Sequence, residues 1–516
     1  MSPKPKAVWS EWSLFGVVLL LVLACSAFHI KQALAGHSIY RDQHLGTAVV
    51  WAKEGINLLK PTIIGFNANH TPTPQEFPFW QALTALMFKA LGPWFGWGNV
   101  VSLISVFSAL YPLYQLAVRC GGRRTGIWAL VFFVAQPLIF IEAGKAGVDG
   151  FSEATQIWYL YFGVLLLEKP GIITALLAAL GATLCVLSKL PFYMAASLAL
   201  LFLLLLNHRN SLKSWIGLAA VGIFSAALFL AWTHYTDQCI ADAKFVYVDL
   251  RLRVDHQWNK QMFDWYFGDM HFRMNPANWA KGAWRVLNAC FGSFILVSLP
   301  LYSLLSLKKN SVVPKVMLAG VILTILVFVH LVLKHTHYYL MLTPVFALLS
   351  AVAMVDLEKR IIPEERWQSK LSFCIGVLVL LLSLAQGLVG LRITVELDPF
   401  ESNMAKVIEQ RTRPSDKLLI VLGGWGGNCL MLSHREGLSI LTTKFLENPA
   451  NLKEIKELGY NKLVMLSESP ILVATQISNP GGSDYKRATY DDFSSPIVKN
   501  WPVLYRTDDI IIRDIP

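Results

Sequence analysis

Charge is what this chain has least of. Only 15% of its 516 residues are Asp, Glu, Lys or Arg, while 54% are hydrophobic; a soluble domain carries about 25% charged residues. That shortage excludes an ordinary soluble globule and a disordered chain alike. Cysteine is sparse and unpatterned. Cys25, Cys120, Cys185, Cys239, Cys290, Cys374 and Cys429 stand singly, and without a Cys-x-x-Cys pair a zinc knuckle or redox pair is excluded. The first apolar run lacks a small-residue cleavage site, so it reads as a retained span rather than a signal peptide. No internal repeat marks the chain as a two-halved transporter.

What the chain does have is long apolar runs. A span needs about 20 apolar residues to cross roughly 30 Å of hydrocarbon. Runs of that kind predict about eleven transmembrane helices, near 12–33, 96–118, 126–143, 151–167, 171–187, 191–206, 214–233, 284–306, 314–333, 338–355 and 371–391. The formal charge of +11 invites a nucleic-acid reading. Yet Lys and Arg gather in short tethers between apolar runs, with no basic stripe among aromatics, so no nucleic-acid partner is expected.

Those tethers set an orientation. Lys4 and Lys6 precede the first run; Arg119, Arg123 and Arg124 follow the second; Lys169 follows the fourth. Arg209 and Lys213, then Lys308, Lys309 and Lys315, then Lys359, Arg360, Arg366 and Lys370 follow later ones. All fall on one side if Phe77–Leu91 lies at the outer interface instead of crossing, and the positive-inside rule makes that side cytoplasmic. Residues 1–392 then form the membrane domain, with outer loops 34–95 and 234–283. Residues 393–516 form a small extracytoplasmic α/β domain, with strands at Lys417–Leu422, Leu438–Thr442, Lys462–Leu466, Val503–Tyr505 and Asp509–Arg513. Asn451–Leu458 has helical spacing and Gly459 as its C-cap. Gly423-Gly424-Trp425-Gly426-Gly427 matches neither Gly-x-Gly-x-x-Gly nor a phosphate loop and reads as a tight turn. The short basic N-terminus and the lack of targeting segments suit a bacterial inner membrane.

The polar chemistry is one-sided. Of twelve histidines only His208 falls in a predicted cytoplasmic turn. Asp42, Glu76, Asp149, Lys189, Lys334, His335 and His337 all fall at outer ends of runs, where costly ionisable groups call for a functional reading. A transporter would place them at the bilayer midplane; a site at the lipid–water boundary suits an enzyme acting on a lipid headgroup. Asp42, in Tyr40-Arg41-Asp42-Gln43-His44, is either a solvated loop carboxylate or a general base for an attacking hydroxyl. Glu76 either caps the interfacial helix or ligates a divalent cation or organises a phosphate. Asp149 is an N-cap or a site carboxylate. Lys189 in Ser-Lys-Leu-Pro, and the Lys334-His335-Thr336-His337-Tyr338-Tyr339 cluster, either snorkel to headgroups or hold a leaving phosphate. His256 and His271 are candidate metal ligands without spaced partners.

The order Asp42-Gln43-His44, Ala52-Lys53-Glu54-Gly55, Glu76-Phe77-Pro78 and Phe88–Gly92, then Asp149, Lys189 and the Lys334…Tyr338…Pro344 run, resembles the GT-C superfamily. Within it, the chain is most similar to the branch of protein O-mannosyltransferases and lipid A aminoarabinose transferases. The resemblance implies a GT-C fold, a polyprenyl-phosphate-linked sugar donor, and transfer with inversion to an extracytoplasmic glycan, lipid, lipopolysaccharide or protein. It makes Asp42 the catalytic carboxylate and Glu76 a metal or phosphate residue. The chain departs from the family at Gln43, where an acid is usual, at Phe77, where a Lys is, and at Leu45, where a basic residue is. Arg41, His44 or Lys334 would then complete the phosphate-holding set. Alternative readings are an O-antigen-type ligase or polymerase, and a polytopic transporter or flippase.

Overall fold

The structure is a computed structural model and describes residues 8–31, 39–65, 72, 76–241, 260–291, 294–305, 312–361, 365–394, 399–421, 428–440, 443–466 and 496–516. The chain forms two compact units. One comprises Met1–Ala33, Gly96–Trp232 and Lys260–Val395; the other comprises Leu34–Phe95, Thr233–Asn259 and Glu396–Pro516.

The first unit is helical, as a bilayer requires, because a helix satisfies its backbone polar groups within itself. Five helical stretches among the described residues are long and apolar enough to cross a membrane: Glu11–Ile30, Trp97–Gly121, Leu190–Asn207, Leu212–Cys239 and Thr336–Ile361. Pro276–Phe291 and Leu296–Leu305, bent by 105°, make a sixth if counted as one span, and Ile172–Ser188, Val312–Val327 and Lys370–Gln386 are apolar but shorter. These helices make the chain a multi-pass membrane protein. The expected count of about eleven is not reached on length and composition. One expected span, the Val148–Glu168 helix, has 21 residues but carries Asp149, Glu153 and Glu168. Another is broken, since the Arg123–Val134 helix stops short of a π-helical turn at Ile139–Ala143.

Packing follows the rule for membrane helices, small residues where backbones meet. A Cβ on Gly320 would lie 2.5 Å from the Ala195 carbonyl oxygen, so the Val312–Val327 and Leu190–Asn207 helices approach as closely as glycine allows. Trp128, Phe133, Tyr159 and Phe192 fill the interior, whereas Ile223 is 72% exposed, on a face suited to lipid.

Ion pairs gather one end of this bundle. Arg123 reaches Glu11 (3.0 Å), Arg119 reaches Glu168 (3.0 Å) and Arg124 reaches Glu358 (2.7 Å). Glu358 also accepts from Trp128 Nε1 (3.1 Å) and from the Ser372 hydroxyl. Five helix ends thus meet at one end of the bundle.

The second unit holds a five-stranded sheet of β1 (Lys417–Val421), β2 (Glu436–Ile440), β3 (Tyr460–Leu466), β4 (Val503–Arg506) and β5 (Ile510–Asp514), in the order β2-β1-β3-β5-β4. Strands β1, β2 and β3 are parallel, and β5 runs antiparallel to β3 and to β4. The central strand β1 reads Leu-Leu-Ile-Val after Lys417 and is buried along that run, as a strand covered on both faces should be. The Pro449–Glu457 helix precedes β3 and ends at Gly459, whose φ of +86° suits a residue without a Cβ. The glycine run 423–427 lies outside the described residues.

The first outer loop belongs to this unit and is tied to the sheet. The Ser439 amide donates to the Gly65 carbonyl (2.7 Å), which makes residue 65 a bridge partner on the free edge of β2. Thr47, on the Ile39–Glu54 helix, donates to the Thr62 carbonyl at 2.7 Å. The short Phe79–Leu91 helix has 13 residues, too few to span, and buries Trp80, Gln81, Thr84, Ala85 and Phe88.

Candidate functional site

In the helical unit, the end of the Val148–Glu168 helix away from the ion pairs carries a polar cluster. A 21-residue helix places its ends about 30 Å apart. Asp149 sits in the first turn. The turn before it is held by Asn99 donating to the Gly144 carbonyl (3.1 Å) and Ser102 donating to the Gly147 carbonyl (3.2 Å). Gly150 follows because a Cβ there would lie 2.1 Å from the Ala143 oxygen.

Lys189 is the single extended residue between two helices, Ile172–Ser188 and Leu190–Asn207, and Pro191 starts the second of them. That sharp turn aims the side chain into the protein. Its ammonium donates to Asp149 Oδ1, with side chains 2% and 4% exposed. A buried ammonium is costly without a countercharge, and Asp149 supplies it. Lys189 Nζ also lies 4.8 Å from the centre of the Tyr338 ring. His337 Nε2 is 3.9 Å from Asp149 Oδ1.

His337 and Tyr338 belong to a tight 3₁₀ segment, Thr336–Leu342, whose imidazole and phenol rings lie 4.6 Å apart. His335 is half-buried behind them, packed on Trp265 and His337. Burial pushes its imidazole down to about 4; the Lys189, His330 and Lys334 charges push the same way and Asp149 opposes them. The cluster therefore keeps a neutral imidazole at His335 beside the Lys189–Asp149 ion pair. Lys334 points to another set. Burial and the neighbouring Arg285 and Lys281 cations lower its pKa, and Arg285 donates to the Lys334 carbonyl at 3.3 Å.

The second unit carries its own polar group. His44 Nδ1 lies 2.6 Å from Gln81 Nε2, and His44 Nε2 lies 3.9 Å from Glu76 Oε2. Trp80 closes edge-on against the imidazole, ring centres 6.4 Å apart. Asp42 and Arg41 lie in the first turns of the Ile39–Glu54 helix, with side chains outside the described residues; His256 lies outside them altogether. His271 is in a short helix, Met270–Met274. Among the described residues no group of three His, Cys, Asp or Glu side chains can hold a metal ion.

The fold thus brings Asp149, Lys189, His337 and Tyr338 together, and separately His44 with Glu76. Two residues have no place in the sequence reading. Gln81 is hidden in a mostly apolar helix, where a polar residue on the buried face is the available signal. Glu153, one turn after Asp149 on the same helix face, is fully buried; a carboxylate inside an apolar run is signal enough.

No family model matches the chain, and no curated protein matches it by sequence. Solved structures do. The apo structure of ArnT from Cupriavidus metallidurans superposes with a TM-score of 0.62 at 11% identity, over 97% of this chain and 98% of that one. The same protein bound to undecaprenyl phosphate gives 0.60, over 99% and 98%. The chain has the ArnT fold. Beyond ArnT, the Archaeoglobus fulgidus oligosaccharyltransferase in complex with Zn and sulfate matches at a TM-score of 0.53 and 13% identity, over 88% of this chain and 68% of that one. The mycobacterial arabinofuranosyltransferase AftD matches at 0.50 and 14% identity, over 100% of this chain and 42% of that one.

Proposed function

We propose that this protein transfers a sugar from a polyprenyl-phosphate carrier to an acceptor outside the cytoplasm, with inversion at the anomeric carbon. The observation that carries the reading is the Lys189–Asp149–Tyr338–His337 cluster at one end of a helical membrane bundle. Its support is the ArnT fold, since ArnT is a protein crystallised with undecaprenyl phosphate.

In this reading the donor phosphate meets Lys189, His337 and Tyr338. Asp149 holds the lysine in place before the donor arrives, so the site is preorganised for the charge that grows on the phosphate as it leaves. The acceptor oxygen attacks C1, the bond from C1 to the phosphate oxygen breaks, and polyprenyl phosphate departs with the electron pair. Asp42, near the start of the Ile39–Glu54 helix, takes the proton from the attacking hydroxyl. Glu76 and His44 order the loop beside it. Among the described residues no third His, Cys, Asp or Glu joins this pair to hold a divalent ion. The basic helix ends face the cytoplasm and the cluster faces the opposite side, consistent with a bacterial inner-membrane enzyme working on its periplasmic face.

The test is turnover by purified protein with a panel of undecaprenyl-phosphate-linked pentoses and hexoses and with glycan, lipid and protein acceptors. Release of undecaprenyl phosphate by wild type, and its loss in Asp42→Asn with normal expression, is expected. Full turnover in Asp42→Asn removes the general-base role, and a product that keeps the donor's anomeric configuration removes inversion.

A further inference from the structure

Glu153 has no part in the mechanism above, yet it is a fully buried carboxyl in a membrane bundle. Among the described residues no cation forms an ion pair with it. Its Oε2 has no hydrogen-bond partner there, and Oε1 meets the Thr343 hydroxyl. That hydroxyl also lies 2.7 Å from the Leu340 carbonyl oxygen. A threonine hydroxyl has one proton and cannot donate to both oxygens. If Glu153 were a carboxylate, it would sit fully buried with no countercharge and no protein donor to Oε2 among the described residues, the arrangement folded proteins avoid. If it carries a proton, every donor has a place: the carboxyl O–H donates to Thr343 Oγ1, and Thr343 donates on to Leu340. The nearby Cys290 thiol offers no positive charge to change that balance.

The two ends of this chain of hydrogen bonds are informative. Glu153 is one helical turn from Asp149 on the same face of its helix. Leu340 lies near the end of the 3₁₀ segment that carries His337 and Tyr338, and Thr343 caps that segment and starts the helix after it. Gln136 adds a second hold, donating from Nε2 to the Thr343 carbonyl at 2.7 Å. We propose that Glu153 is a positioning residue that works as a neutral, protonated acid, pinning the His337–Tyr338 segment to the helix that bears Asp149. The proposal rests on the transferase reading only for its effect on turnover; its proton and its structural effect do not depend on that reading.

The experiment compares wild type, Glu153→Gln and Glu153→Ala in the full chain. Glu153→Gln keeps a neutral side chain with an N–H to donate to Thr343, and Glu153→Ala removes the link. The infrared spectrum of wild type at neutral pH should contain a protonated-carboxyl C=O stretch that is missing in both variants. Wild type and Glu153→Gln should bind undecaprenyl phosphate alike, while Glu153→Ala binds at least about tenfold more weakly. A carboxylate band in place of the acid band overturns the proposal, as does a Glu153→Gln variant as impaired as Glu153→Ala. If wild type itself ignores undecaprenyl phosphate, the transferase reading fails; the infrared band and the melting order, with Glu153→Gln near wild type and Glu153→Ala below it, still decide the proton and the link.

Discussion

At the Arg124 end of the helical unit each charge meets its partner where helices stop, and Glu358 accepts from Arg124, Trp128 and Ser372 at once. At the Lys189 end a buried lysine and aspartate share their surroundings with two histidines and a tyrosine. Both ends use ion pairs between helix termini. One arrangement saturates a carboxylate with hydrogen bonds and leaves no chemistry to do. The other assembles a cation, an acid and ionisable rings within a few ångströms, and the proposed headgroup site rests on that arrangement. The difference lies in what surrounds the pair more than in the pair itself.

That contrast can be broken most sharply at Lys189. Lys189→Met strands Asp149 inside the protein and should cost about 3–5 kcal/mol of stability, together with binding of undecaprenyl phosphate. Adding Asp149→Asn should restore most of the stability and none of the binding, read by thermal denaturation in detergent and by lipid binding. Equal melting of the single and double variants would show that the pair is not coupled.

The next effect is on pH. His335 has a folded-state value near 4, below the ordinary 6.5, so folding favours its neutral form. Its contribution is fully present above pH 6.5 and is lost as pH falls from 6.5 towards 4, where the unfolded chain gains a proton the folded one resists. The loss is at most about 3 kcal/mol, since each tenfold change in proton affinity is worth about 1.4 kcal/mol. His335→Gln should flatten melting temperature across that window; an unchanged slope would assign the acid sensitivity to other groups.

At the opposite end, Glu358→Gln should cost roughly 1.5–3 kcal/mol, the range for hydrogen bonds to a charged group, without altering lipid binding. A loss of binding there would erase the distinction between the two ends. Smallest of all is Arg119→Gln. Its partner Glu168 and Arg119 itself are 37% and 26% exposed, and such surface pairs contribute about 0–1 kcal/mol.

Much of the architecture is legible in the sequence because its signals are local. Strands at Lys417–Val421 and Tyr460–Leu466 follow from runs of Leu, Ile and Val, and the bend at Lys189 from Pro191 beside it. That Arg119, Arg123 and Arg124 share one side follows from charge, since tethers of one sign share a face, whereas their partners Glu168, Glu11 and Glu358 come from tertiary packing. Helix count is harder, because acids inside a helix, such as Glu153, and breaks such as that after Val134 blur the hydropathy signal. The cluster is harder still. Asp149, Lys189 and His337 are separate signals in the sequence, and only tertiary packing puts them on one carboxylate. The His44–Gln81 contact spans 37 positions and has no local signature at all.

A structure of the full chain with undecaprenyl phosphate bound decides whether the Lys189 cluster holds the donor phosphate. The phosphate is expected within hydrogen-bond reach of Lys189 Nζ, with the His337 and Tyr338 rings beside it. A phosphate seated elsewhere, with the Lys189–Asp149 pair untouched, would contradict the claim.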